Sequence, residues 1–103
     1  MKTLLQIRAL LSAGKFDFTR HAFKRAVERN ISDAEICYAG AEAMLIEDYL
    51  DDKYAPSCLI LGFTKLGRPL HIQVSYADGD TVKIITIYEP NAVEWVDNRR
   101  RRR

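Results

Sequence analysis

The chain predicts an α+β domain in which N-terminal helices pack on a four-stranded antiparallel sheet. Two changes of pattern predict it. Apolar residues recur at helical spacing up to about Gly40, and from Ala43 onward four stretches rich in β-branched and aromatic residues alternate with turn formers. Size supplies the third constraint: 103 residues suffice for one core and leave no room for a second.

Leu4, Ile7 and Leu11, with Leu5 and Leu10 beside them, repeat at helical spacing, and Gly14 closes this first helix. A second helix starts at the N-cap Thr19, with Phe18 and Phe23 placed as a hydrophobic staple, and Asn30 ends it. Ser32 and Glu35 form a capping-box pattern that opens a third helix reaching about Gly40. Strands are expected over Ala43 to Tyr49, Cys58 to Thr64, Leu70 to Tyr76 and Val82 to Tyr88. Short connections, among them residues 65–69 and 77–80, make the four strands an antiparallel meander with helices on one face. Alternation in the third strand puts Leu70, Ile72, Val74 and Tyr76 on one face and His71, Gln73 and Ser75 on the other. A two-residue Asp78-Gly79 loop pairs residue 71 with 86 and 69 with 88, which makes His71, Thr86 and Tyr88 near neighbours. A bulge shifts that register.

Composition excludes several classes. A hydrophobic fraction of 48% and a charged fraction of 29% are those of a globular chain, not a disordered one. No apolar run reaches membrane-spanning length, and Met1 to Leu11 lacks the uninterrupted apolar stretch of a signal peptide, so the expected location is cytoplasmic. Cys37 and Cys58 are then expected to be reduced, partly buried thiols. The formal charge of +2 includes five charges from Arg99 to Arg103, which leaves −3 for residues 1–98. The expected organisation is a single domain over residues 1–98 followed by a basic tail over 99–103. Inside the domain the signs segregate: five bases lie between Lys15 and Arg29, and five acids with no base lie between Glu42 and Asp52. The basic helix and tail offer a local anionic footprint, and a solubilising free end is the plainer reading of the tail.

His21, Arg25 and Arg29 stand four residues apart, which aligns them on one side of the second helix with Lys24 and Glu28. Ala22, Phe23, Ala26 and Val27 gather on the other side. Such a cationic face suits phosphate, because arginine stays charged and donates two parallel hydrogen bonds; it suits plain solvation equally well. Spacing argues against a metal site, since His21, Cys37, Cys58 and His71 form no close ligand pair. No phosphate loop or nucleophile elbow is present.

Phe18-Thr-Arg-His-Ala, Arg25, Glu28-Arg29 and Ile31-Ser32, with Pro56-Ser-Cys-Leu, Gly67-Arg-Pro-Leu-His71 and Ile85-Thr-Ile-Tyr-Glu-Pro90, resemble a family of small bacterial and archaeal domains of unknown function. That family is similar, at a distance, to the RelE and BrnT toxins of toxin–antitoxin systems. The resemblance spans Phe16 to Trp95 and implies a RelE/BrnT-toxin-like fold with a ribonuclease or antitoxin-partner role. Toxins of that type usually draw their cations from the sheet, whereas Lys83 is the only base within the last two strands here.

Two functions follow from these residues. One is a metal-independent ribonuclease-like or RNA-binding domain that needs no cofactor and acts on RNA or the ribosome. In it His71 or His21 serves as general base or acid, and Arg25 and Arg29 stabilise phosphoryl charge. Tyr88 orients the phosphate or leaving oxygen, and Lys24, Arg20, Arg99, Arg100 and Arg101 add anion contacts. The other is a non-catalytic interaction module, with the histidine–arginine helix structural. Its sheet face or edge binds an antitoxin-like protein or a second copy, and its acidic strip meets a basic partner or the chain's own tail.

Overall fold

The structure is a computed structural model that describes residues 1–52 and 55–102. Three nine-residue helices, α1 (Leu4–Ser12), α2 (Arg20–Glu28) and α3 (Asp33–Ala41), precede most of the sheet. The strands are β1 (Phe16–Phe18), β2 (Met44–Tyr49), β3 (Ser57–Phe63), β4 (Pro69–Ser75) and β5 (Val82–Tyr88), then a short ribbon of β6 (Trp95–Val96) and β7 (Arg100–Arg101).

Both expected helix starts are present. Thr19 accepts from the Ala22 amide at 3.0 Å, and Ser32 exchanges the two capping-box bonds with Glu35. Thr3 and Gln6 form a further capping box at α1. Asn30 ends α2 in the left-handed region at φ 54°, which asparagine tolerates because its short polar side chain bonds locally.

The sheet is larger than the four strands expected, and it is mixed. Its order is β1-β5-β4-β3-β2, with β1 parallel to β5 and the other neighbours antiparallel. Three residues are too few to display alternation, so β1 leaves no periodic trace in the sequence. The helices cover one face. Ile7, Leu11, Ala22, Ala26 and Ile36 bury there against Ile60, Leu70, Ile72, Val74, Ile84 and Ile87. Gly62 lets α3 approach β3 closely: a Cβ at that position would sit 2.1 Å from the Ala39 carbonyl oxygen. Among the described residues no helix is long and apolar enough to cross a membrane.

The β4–β5 register differs from the two-residue-loop expectation by two positions. His71 faces Tyr88 and Gln73 faces Thr86, and a shift at Gln73/Val74 leaves Ile85 as a bulge. An offset of two preserves side-chain parity, so His71, Thr86 and Tyr88 still share the face opposite Leu70 and Ile72.

Two expectations about surfaces change. Ala22 and Ala26 are buried, but Phe23 and Val27 are 60% and 65% exposed. The two alanines set α2 close to the sheet, and the larger neighbours rotate onto its flank, where Phe23 meets Phe18 edge-on at 6.1 Å. The arginines expected to trail as a tail instead fold back. Asp97 and Asn98 both have positive φ, as in primed hairpin turns, and β7 pairs with β6 (Trp95 with Arg101, Val96 with Arg100). Arg103 lies outside the described residues.

Candidate functional site

On the face away from the helices, this C-terminal strap lies over β4. His71 beneath it has no solvent exposure. The Trp95 ring meets it edge-on at 4.4 Å and the Tyr88 ring at 5.2 Å. Its Nε2 is 2.6 Å from the Asn98 carbonyl oxygen and its Nδ1 is 3.2 Å from the Tyr88 hydroxyl. A carbonyl can only accept, so Nε2 carries the proton; in the neutral ring Nδ1 is then a bare acceptor and Tyr88 is its donor. Burial lowers the imidazole pKa, against the opposing pull of the Asn98 bond and the Glu47 charge. Burial likewise raises the Tyr88 phenol.

Arg101 fastens the strap. It makes two bonds to the Glu47 carboxylate, at 2.9 and 3.1 Å, and its guanidinium lies 4.7 Å from the centre of the Trp95 ring. Glu47 also accepts from the Tyr49 hydroxyl. Burial pushes the Glu47 carboxyl up, but the bonds from Arg101 and Tyr49 outweigh it and hold the group below the usual carboxylate range. Burial and the Glu47 bond push Tyr49 up to about 12. The acidic strip thus meets the chain's own basic end at Glu47. A groove of about 800 Å³ runs beside the strap, lined by Ile46, Glu47, Val96 and Arg99 to Arg102.

On the other side of the strap lies a cleft of about 380 Å³ between α2, the end of β5 and the turn that follows it. Arg25, Arg29, Thr86, Tyr88, Glu89, Asn91, Glu94 and Trp95 line it. Its position follows from the sheet. β1 ends opposite Ile84, so the outer edge of Thr86 to Tyr88 has no strand partner among the described residues. Thr19 fixes α2 beside that edge, its amide on the Ile84 carbonyl and its hydroxyl on the Ile85 carbonyl. Arg25 and Arg29 make no ion pair among the described residues, whereas Glu89 is engaged by Arg68 at 2.6 Å.

The structure therefore brings Arg25, Arg29 and Tyr88 into one cleft, with His71 directly behind Tyr88. It does not bring His21 there: His21 is exposed on α2 and outside the cleft lining. Arg20 and Lys24 are exposed on the same helix, and Lys24 pairs with Glu28. Arg99 and Arg100 are exposed on the strap. Among the described residues no group of three or more His, Cys, Asp or Glu side chains is placed to hold a metal. Both cysteines are free, Cys58 buried and Cys37 half-buried.

Sequence reasoning passed over Arg68. Its guanidinium bonds the carbonyl oxygens of Arg29 (2.6 Å) and Asn30 (3.1 Å) at the end of α2, together with Glu89 and Glu35. Those carboxylates raise its pKa still further. This clasp ties the β3–β4 turn to both helices and to the cleft's rim. Asn98 and Tyr49 were also passed over, whereas Glu47 belonged to the acidic strip read as able to meet the chain's own basic end. The Asp97-Asn98 pair ahead of the arginines was the available signal for the strap, because both residues tolerate positive φ.

Residues 18–89 match the family described as Domain of unknown function (DUF4258). The chain belongs to the DUF4258 family. The matched stretch holds Thr19, both cleft arginines, the Arg68 clasp, His71 and Tyr88; α1 and the strap flank it. No curated protein and no solved structure matches this DUF4258 chain.

Proposed function

We propose that this DUF4258 domain is an RNA-binding protein of the RelE/BrnT-toxin type, cytoplasmic, that grips a phosphodiester in the α2–β5 cleft. One observation carries the reading: two arginines without ion-pair partners among the described residues flank the same cleft as a tyrosine whose hydroxyl is held from behind. Arginine's planar fork matches two phosphoryl oxygens, and a recessed cleft strengthens that contact relative to open water. Arg20, Lys24 and His21 on α2, with Arg99, Arg100 and Arg101 on the strap, add salt-sensitive contacts along the strand. In the ribonuclease version of this reading the 2′-oxygen bonds to the adjacent phosphorus as the P–O5′ bond breaks, its proton passes to solvent, solvent protonates the leaving 5′-oxygen, and Arg25 and Arg29 stabilise the developing charge. His71, fully buried, serves as a positioning residue for Tyr88.

Fluorescence anisotropy with labelled single-stranded RNA at rising salt tests the binding. Arg25→Gln and Arg29→Gln should each weaken it and lower the salt slope by about one. A wild-type protein that binds no RNA at low salt overturns the reading. Gel analysis of the same RNA, with chelator present, decides whether binding leads to cleavage.

A second reading, a protein-interaction module that takes an antitoxin-like protein or a second copy, is favoured by the exposed Phe23 and Val27. They border an apolar groove with Phe18 and Ile31. Phe23→Asp should leave RNA affinity unchanged and abolish any such complex.

A further inference from the structure

We infer that Tyr88 reads the ribose 2′-hydroxyl, so that the cleft selects RNA over DNA by the hydrogen-bond polarity of a single phenol oxygen. The inference rests on the RNA-binding reading and adds to it the group that discriminates.

Polarity follows from a chain of three bonds. The Asn98 backbone oxygen fixes the proton on His71 Nε2 at 2.6 Å. His71 Nδ1 therefore presents a lone pair, and the Tyr88 hydroxyl, 3.2 Å away, spends its only proton on it. What Tyr88 has left is acceptor capacity alone. Any group that meets this oxygen from the cleft must donate. A phosphate cannot, since its oxygens only accept at neutral pH; the arginines serve it instead. A ribose 2′-hydroxyl can, and it lies next to the phosphate that Arg25 and Arg29 would hold. A 2′-deoxyribose offers nothing and leaves the oxygen without a donor.

The polarity is locked, because His71 is fully buried beneath Trp95 and the strap, and no water reaches the ring to offer a different bonding pattern. Asn98 holds its carbonyl in place from a left-handed backbone, φ 62°, in the turn of the strap. The strap thus sets the specificity of a cleft it only borders, through a ring that touches no ligand.

The test uses full-length protein and four single-stranded oligonucleotides of one sequence: ribo, 2′-deoxy, 2′-fluoro and 2′-O-methyl. The 2′-fluoro sugar keeps the RNA-like pucker but cannot donate, so it separates donor readout from shape. Ribo should bind about five- to tenfold tighter than the other three, the effect of one well-formed hydrogen bond. Tyr88→Phe should erase that preference, so that ribo and 2′-fluoro strands bind equally; Arg25→Gln should weaken all four alike. Equal binding of ribo and 2′-fluoro overturns the inference and leaves RNA binding intact. No binding of any oligonucleotide overturns the RNA-binding reading itself. Nitrogen-15 NMR of the His71 ring gives a second, ligand-free check: a protonated Nε2 and bare Nδ1 agree with it, and the reverse tautomer refutes it.

Discussion

Deleting residues 99–103 should destabilise the fold, although a free tail would predict no effect. The deletion removes both bonds from Arg101 to Glu47 and the guanidinium from the face of Trp95. Arg101 is 56% exposed and Glu47 23%, so solvent screens the pair and it contributes only about 0.5–1 kcal/mol despite its two-bond geometry. The contact with Trp95 adds about 0.5–1 kcal/mol, at the exposed end of the cation–π range. Together they amount to roughly 1–2 kcal/mol, and at about 4–8 °C per kcal/mol for a domain of this size the Tm should fall by about 5–15 °C. Thermal unfolding by circular dichroism measures it. Arg101→Ala should reproduce most of the loss, and a cycle with Glu47→Gln should isolate the pair. High salt should narrow the gap between wild type and variant. An unchanged Tm for the truncated chain would refute the strap's attachment.

Gly62→Ala should destabilise by more than about 3 kcal/mol or prevent folding, because the new Cβ meets the Ala39 backbone and neither element can move aside; a denaturant midpoint at or above wild type would contradict that close approach. Ser32→Ala and Thr3→Ala should each cost about 1 kcal/mol in denaturant unfolding, since each breaks a capping box, and a loss at neither position would refute the caps. Burial holds His71 below its ordinary 6.5, so the unfolded chain binds a proton that the folded chain refuses. Stability should therefore be full above about pH 6.5 and decline as the pH falls toward the lowered folded value, by at most about 1.4 kcal/mol per unit. Urea unfolding between about pH 7 and 5 checks this against His71→Gln, which should lack the slope. Glu47 acts in a separate, more acidic window, because its stabilisation is present above 4.5 and is lost only as the pH falls below that value.

What the sequence revealed was local. Thr19, Ser32 with Glu35, and the alternation in Leu70 to Tyr76 announce helix starts and a strand face through their nearest neighbours, and the structure bears them out. β1 did not announce itself, because its partner β5 lies more than sixty residues away and three residues carry no period. The site was half legible. Arg25 and Arg29 stood out by helical spacing, but their meeting with Tyr88 depends on how α2 docks, which spacing does not encode. His71 drew attention as a titratable group, and the Trp95 and Asn98 that bury it could not be assigned to it without the strap's fold. Arg68 was invisible for the same reason, since its partners lie on three separate segments.

The Ile85 bulge decides which changes of length this fold tolerates. Between the β4–β5 loop and the bulge the register sum is one less than beyond it, because Ile85 is absorbed as an unpaired residue and the pairing resumes at Thr86 with Ile87 in the core and Tyr88 on the strap side. Adding or removing residues in the exposed loop at 77–81 changes a connection that solvent surrounds, at the expense of its contacts with Met1 and Lys2. Removing Ile85 would leave an unbulged ladder in which Ile84, Thr86, Ile87 and Tyr88 alternate between the core and strap faces as they do now. The deletion does take away the carbonyl that receives the Thr19 hydroxyl, so α2 keeps only the Thr19 amide bond to Ile84 of the two that hold it beside the cleft. A length change of one residue can thus loosen α2 at the cleft without altering any of the side chains that line it.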